Sequence, residues 1–242
     1  LWDGVADPYL YNVKAELNVD GVVTDEVCTT CGVRYYKFDP DKGFFLNGRH
    51  LKLNGACHHH DHGALGSAFD VNALKRQFTK MQEMGINSVR CSHNPPPQAW
   101  LDLADEMGLL IIDEAFDMWR KRKTTYDYSR HFNEWHERDL TDFILRDRNH
   151  PSIFMWSIGN EVLEQWSDAA ADTLSLAEAN LILNFGHSAD MLAKEGEGMS
   201  VNSLLTKKLA DMVRALDPSR PVTAGCNEPN PYNHLFRSGA LD

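Results

Sequence analysis

Apolar and polar side chains alternate through residues 1 to about 36, as in Tyr9-Leu10-Tyr11-Asn12-Val13-Lys14-Ala15-Glu16-Leu17. The pair Asp20-Gly21 separates that run from Val22-Val23-Thr24-Asp25-Glu26-Val27. Alternation about Asp-Gly predicts a β-hairpin, here the tail of an antiparallel β-sandwich. A second hairpin is predicted from Phe44-Phe45-Leu46 and Leu51-Lys52-Leu53 around Asn47-Gly48.

From Leu51 the pattern changes to short apolar strands alternating with amphipathic helices, which implies a parallel sheet with helical crossovers. Strands are predicted at Leu51 to Cys57, Ile86 to Arg90, Leu109 to Ile112, Ile153 to Ile158 and Pro221 to Ala224. Helices are predicted from about Asp70 to Met84, with Val71, Leu74, Phe78 and Met81 on one face, and from about Gln98 to Met107, stopped by Gly108. A third carries Trp135, Leu140, Phe143 and Ile144 after a polar and aromatic loop. Following an irregular stretch to about Gly198, a fourth carries Val201 to Leu216 and ends at Asp217-Pro218. Ala240-Leu241-Asp242 could open a sixth strand.

The five strands release His58-His59-His60-Asp61-His62, Cys91-Ser92-His93-Asn94, Asp113-Glu114, Asn160-Glu161 and Asn227-Glu228 from the same edge. A (β/α)8 barrel gathers an active site in that way. An open doubly wound sheet fits the alternation too, but its first turn is glycine-rich for a nucleotide, whereas this one is histidine-rich. The predicted fold class is therefore α/β, a TIM barrel with about five to six strands present. Residues 1–36 are expected to close a β-sandwich domain and residues 37–242 to begin the barrel.

Composition bounds the function. The 242 residues are 43% hydrophobic and 24% charged, ordinary for a globular domain. No run approaches the ~18 apolar residues of a membrane span. The net charge of −11 disfavours nucleic acid, whose phosphates it repels. Leu1-Trp2-Asp3-Gly4 resembles no signal peptide, and without an initiator Met the chain is expected to start inside a longer protein. Cys28-x-x-Cys31 lacks a second pair, so plain thiols are expected of it. Compartment stays open between periplasm or secretion and cytoplasm, and a homo-oligomer is one option for the parent.

Two chemistries compete for the strand ends. Clustered histidines after a first barrel strand suit a two-metal hydrolase, yet no suitably placed His follows strands three to five. A sugar-hydroxyl or structural role is the competing expectation for them. Asn160-Glu161 suits glycoside hydrolysis: the carboxylic acid protonates the leaving oxygen and the amide holds a sugar hydroxyl. Its plainer alternative is a helix cap. Trp119, Trp135, Trp156 and Trp166 supply aromatic faces, most of them expected to pack.

At this point a resemblance becomes specific. Asp147-Arg148-Asn149-His150-Pro151-Ser152, three apolar residues, then Trp156-Ser157-Ile158-Gly159-Asn160-Glu161 resembles the acid/base signature of glycoside hydrolase family 2. Asn87-Ser88-Val89-Arg90-Cys91-Ser92-His93-Asn94-Pro95 resembles its other signature, departing at Asn94, where many members carry Tyr. Gly32-Val33-Arg34, Phe45-Leu46-Asn47-Gly48 and Asp113-Glu114-Ala115 fall in the family's order. The pattern is most similar to bacterial β-galactosidases, and β-glucuronidases and β-mannosidases share the core.

The resemblance implies an immunoglobulin-like sandwich before the barrel, a retaining two-carboxylate mechanism and a β-linked glycoside or oligosaccharide as substrate. It implies Glu161 as acid/base and Asn160 as the 2-hydroxyl ligand. Arg90, His93 and His59 would line the sugar pocket with Asn94, and Asp61 and Glu114 would lie in or just behind it. The nucleophile it implies is a Glu on a seventh strand, beyond Asp242. Glu228 is expected to be a rim acid. Metal-using members place Glu-x-His shortly after Asp-Glu-Ala, where this chain has Met118-Trp119-Arg120, so no metal or cofactor is expected. The reading from another class is a sugar-binding relic without catalysis.

Overall fold

In the computed structural model the described residues are 1–165, 201–227 and 233–242. Trp166, Glu228 and the irregular stretch lie outside them. The described chain falls into two compact units: residues 1–90, 96–111 and 149–154, and residues 91–95, 112–148 and 155–242.

The first unit opens with an antiparallel ribbon of β1 (Tyr11–Val19) and β2 (Val22–Cys31). Asp20 and Gly21 both take positive φ, the backbone a tight hairpin needs. The expected hairpin is there, with both faces of the ribbon exposed. Cys28 and Cys31 are free thiols. A three-stranded sheet follows, ordered β3 (Tyr36–Asp39), β4 (Gly43–Leu46) and β5 (Arg49–His50). The second expected hairpin therefore turns at Asn47-Gly48, but its return strand is Arg49–His50 rather than Leu51 to Leu53. The short β5 pairs only through Phe45↔His50 and Leu46↔Arg49 before the chain leaves the sheet.

The barrel strands form a five-stranded sheet ordered β10-β9-β8-β7-β6. They are β6 (Gly55–His59), β7 (Ser88–Ser92), β8 (Leu110–Glu114), β9 (Ile153–Asn160) and β10 (Val222–Gly225). Sequential strands are neighbours and β9 pairs parallel with β10, the arrangement of a (β/α)8 barrel with five strands in place and the ring not closed. Each strand begins or ends later than the apolar run predicts. The barrel's first strand is Gly55–His59, not Leu51 to Cys57, and β8 continues through Asp113 to Glu114. Asp242 lies against the start of β10, its N–H on the Val222 carbonyl at 2.9 Å, without forming a strand.

The crossovers are α1 (Val71–Glu83), α2 (Gln98–Met107), α3 (Ser129–Asp147) and α4 (Val201–Leu216), with a short α5 (His234–Arg237) after β10. Asp70 caps α1 by accepting from the Ala73 N–H at 2.8 Å, and Gly108 ends α2 in the left-handed conformation. Leu74 and Phe78 of α1 are buried as expected, whereas Val71, in the first turn, is exposed. In α3, Leu140, Phe143 and Ile144 are buried. Trp135 is partly exposed, with the Arg138 guanidinium 5.4 Å from its ring centre. Among the described residues no helix is long and apolar enough to cross a membrane.

Much of the long signature builds the foundations of β9. In the first unit, Asp105 of α2 is nearly fully buried. It accepts from His150 Nδ1 at 2.6 Å and from the Ser152 N–H at 3.0 Å. Pro151 packs on Gly32, where a Cβ would lie 2.5 Å from the proline Cγ. Arg34 donates from Nε to the Pro151 carbonyl and through its other arm to the Ile153 carbonyl, with Tyr36 stacked beneath the guanidinium. Phe38 and Phe44 close on Phe154. In the second unit, Arg146 clasps Asp147 with two bonds of 2.6 Å.

Candidate active site

Strand β9 is buried along most of its length, as a strand covered on both faces must be. Its last residue, Asn160, is 6% exposed. Glu161 then leaves the sheet with φ +41°, a left-handed conformation that costs a non-glycine residue about 1 to 2 kcal/mol. Its N–H donates to the Gly225 carbonyl at 2.9 Å, and its side chain is half-exposed. Among the described residues no α-helix starts here; a 3-10 turn, Leu163–Gln165, follows.

Three side chains, one just after β7 and one each from β8 and β9, meet in a hydrogen-bonded cluster. Glu114, fully buried at the end of β8, holds His93 Nδ1 2.6 Å from its Oε1. Its Oε2 accepts from the Ser157 hydroxyl at 2.6 Å. With Nδ1 tied to the carboxylate, the imidazole is fixed in orientation and its Nε2 lies on the far side of the ring. Asn94 follows, exposed, with its amide donating to the Pro95 carbonyl at 3.2 Å.

The loop after β8 wraps the Asn160 end of β9. Asp117 Oδ1 accepts from Asn160 Nδ2 at 2.9 Å and from Lys123 Nζ at 2.7 Å. Lys123 Nζ also reaches the Asn160 carbonyl at 2.6 Å. A little further along, Glu164 is wholly buried, its Oε1 accepting from the Lys121 N–H at 3.0 Å. Burial raises its carboxyl above the ordinary value, and Arg120 and Lys121 pull the other way. Trp119 is fully buried, and its indole donates to the Ile158 carbonyl at 2.7 Å. Gly159 is required there, because a Cβ would lie 3.0 Å from that indole nitrogen and 2.8 Å from Val162.

Below this layer, Asp113 points the opposite way from Glu114, as alternate strand residues do. It is completely buried, and burial with the Asp147 carboxylate beside it drives its carboxyl well above the usual range, against the pull of Arg146. Burial likewise pushes the Cys91 thiol up, with Asp113 and Glu114 adding to it.

In the first unit, Arg90 is half-buried, with Nη1 3.7 Å from Cys57 Sγ. His59 and Asp61 are exposed, and Asp61 Oδ1 accepts from the Gly63 N–H at 2.6 Å. Of the neighbouring histidines, His58 is held by α1 and α2 and His60 by its own loop. His58 sits between Trp100, which donates to its Nδ1 at 3.4 Å, and the Gln77 amide oxygen at 3.1 Å from Nε2; burial keeps it below the ordinary imidazole value. His60 stacks on Phe69 and bonds the Ser67 carbonyl. His234 is buried on Ser203 at 2.9 Å.

Among the described residues no group of three or more His, Cys, Asp or Glu could hold a metal ion. Met118 and Trp119 are buried and Arg120 is engaged with Asn202, so the positions that would carry Glu-x-His do not fit a magnesium ion.

Thus the second unit assembles His93, Glu114, Asn160 and Glu161 at the C-terminal ends of three successive barrel strands. Ser157, Asp117, Lys123 and Glu164 escape a reading of the sequence. Ser157 is a lone hydroxyl in an apolar strand, and Asp117 and Lys123 lie in a loop whose polar residues look like solvated surface. Of the tryptophans, Trp156 packs with its indole on Asp217 at 2.9 Å.

Five parallel strands in sequence order with helical crossovers, releasing polar groups at their C-terminal ends, are the layout of a (β/α)8-barrel enzyme domain. The sequence matches the glycosyl hydrolases family 2 TIM barrel domain over residues 40–235, and the chain belongs to that family. It is 65% identical, over its whole length, to the β-galactosidase BoGH2A of Bacteroides ovatus, spanning 28% of that protein. It is 37% identical to a β-glucuronidase of Bacteroides fragilis over 68% of this chain and 24% of that protein. The crystal structure of a family 2 member from Bacteroides cellulosilyticus superposes with a TM-score of 0.79 at 36% identity, over 99% of this chain and 27% of that one. The chain therefore spans between a quarter and a third of the length of the B. ovatus enzyme it matches.

Proposed function

We propose that this chain is part of a retaining β-glycosidase, a β-galactosidase acting on terminal non-reducing β-D-galactosides, and that it works within a longer polypeptide. The observation that carries the reading is the Asn160-Glu161 pair, turned out of the end of β9 by the backbone at Glu161. In this scheme the Glu161 carboxylic acid donates its proton to the glycosidic oxygen as the bond to the anomeric carbon breaks. A second carboxylate, a Glu beyond Asp242 on the seventh barrel strand, attacks that carbon to form a glycosyl–enzyme ester. Glu161, now a carboxylate, takes a proton from water, and the resulting hydroxide displaces the ester with net retention. Asn160 takes the sugar 2-hydroxyl. His93, steered by Glu114, and Asn94 line the sugar pocket.

The 65% identity to a β-galactosidase favours galactose over glucuronic acid, for which the named relative stands at 37%. The residues 1–36 are proposed as the closing strands of an immunoglobulin-like domain, with 37–242 as the barrel's first part.

The test is Glu161→Gln in the full-length polypeptide. Turnover of galactosides with poor leaving groups should fall by about 100-fold or more, while aryl galactosides with activated leaving groups lose far less in their first step, which needs no protonation. Equal losses on both substrates would overturn the assignment. A panel of aryl galactosides, glucuronides and mannosides separates the sugars.

A further inference from the structure

The second unit spends a buried charge on a residue that does no chemistry in the scheme above. Lys123 is 9% exposed, and taking an ammonium out of water is costly unless it is fully paired. Its two acceptors are Asp117 Oδ1 at 2.7 Å and the Asn160 carbonyl at 2.6 Å. The lysine is itself pinned, because Asp127 accepts from the N–H groups of Lys123 and Thr124 at 2.6 and 2.8 Å. Asn160 is thus held three ways by one loop. Its N–H donates to the Phe116 carbonyl at 3.0 Å, its carbonyl receives Lys123, and its side-chain nitrogen donates to Asp117 at 2.9 Å.

An asparagine amide offers a donor at one end and an acceptor at the other, and rotation by half a turn about its last bond exchanges them. A carboxylate beside one end removes that choice, since only the nitrogen can face it. The amide oxygen is then directed to the opposite end. Donation to an anion also polarises the amide and strengthens its oxygen as an acceptor. Lys123 keeps Asp117 charged and in place while fixing the backbone from which the amide projects.

We propose that Asp117 and Lys123 are positioning residues that lock the Asn160 amide so that its oxygen, not its nitrogen, meets the sugar 2-hydroxyl. This rests on the proposed role of Asn160 as ligand to that hydroxyl. Because that contact strengthens in the transition state, the lock acts on kcat more than on KM.

The experiment uses the full-length polypeptide with an aryl β-D-galactoside and its 2-deoxy counterpart. Asp117→Ala should lower kcat on the hydroxylated sugar by about 10- to 100-fold, with KM changed less than about three-fold. On the 2-deoxy sugar the same variant should lose less than about three-fold in kcat. Asp117→Asn, which keeps an acceptor oxygen that Lys123 can orient but loses the charge, should fall between the wild type and Asp117→Ala, and Lys123→Met should repeat the substrate-selective loss. The double variant with Asn160→Ala should be no slower than Asn160→Ala alone. Equal losses on the two sugars, or additive losses in the double variant, overturn the lock while leaving the reading of Asn160 intact. If Asn160→Ala itself fails to distinguish the two sugars, the reading of Asn160 falls and the lock with it.

Discussion

His93 Nδ1 lies 2.6 Å from Oε1 of Glu114, and that carboxylate gives its other oxygen to the Ser157 hydroxyl. A fully buried acid with both oxygens engaged ties the end of β8 to β9 and to the residue that follows β7. Glu114→Ala strands a histidine and a hydroxyl around a cavity and should cost about 2 to 4 kcal/mol of stability. Glu114→Gln keeps the shape and one acceptor, and should cost clearly less. Urea unfolding of the full-length protein measures both, and an alanine variant as stable as the glutamine one would refute the arrangement.

If Glu161 serves as acid and then base, its removal leaves a hole at the face from which water attacks the glycosyl–enzyme. Glu161→Ala with an activated aryl galactoside should therefore be accelerated by added azide, which needs no base. The product should be the β-galactosyl azide, made by two inversions. An α-azide, or no acceleration, would contradict the double displacement or the residue's place in it.

Asp113 carries a pH dependence of definite sign. Burial, reinforced by Asp147, raises its carboxyl well above the ordinary carboxylate range, so the native protein binds this proton more tightly than the unfolded chain does. Stability contributed by this group is full below the unfolded value and declines as pH rises toward the folded one. Asp113→Asn supplies a neutral group of the same shape and removes the decline. Urea midpoints from about pH 4 to about pH 9 should fall less in the variant than in the wild type. Parallel curves would show that Asp113 is ionised in the native state.

Gly32 and Arg34 make a stability prediction about the first unit. A methyl at position 32 would lie 2.5 Å from Pro151, an overlap that should cost about 1 to 3 kcal/mol in Gly32→Ala. Arg34→Met removes the donors to the Pro151 and Ile153 carbonyls and should also destabilise, without changing the ratio of rates on galactosides of different leaving group. A changed ratio would place these residues in the chemistry.

Element types were legible because burial imposes periodicity, but strand ends were not. β6, β7, β8 and β9 each run two residues past the apolar stretch, to His59, Ser92, Glu114 and Asn160. Polarity stops the pattern while backbone hydrogen bonding goes on, and Ser92, Glu114 and Asn160 are buried all the same. The place of Asn160 and Glu161 at a strand end was legible. Ser157, Asp117 and Lys123 were not, since their roles depend on what the fold brings beside them. Gly32-Val33-Arg34 was visible as a motif, and its work on Pro151 was not.

The footing of β9 bears on how such proteins diverge. Asp147, His150, Pro151 and Ser152 answer to Arg146, Asp105, Gly32 and the sheet, so selection for a folded chain alone would retain them. A descendant that had abandoned hydrolysis would keep most of the signature that marks its ancestry. Lineage is written in the first half of that stretch; if the proposed roles of its last two residues hold, loss of Asn160 or Glu161 in an otherwise intact signature is the trace of a retired enzyme.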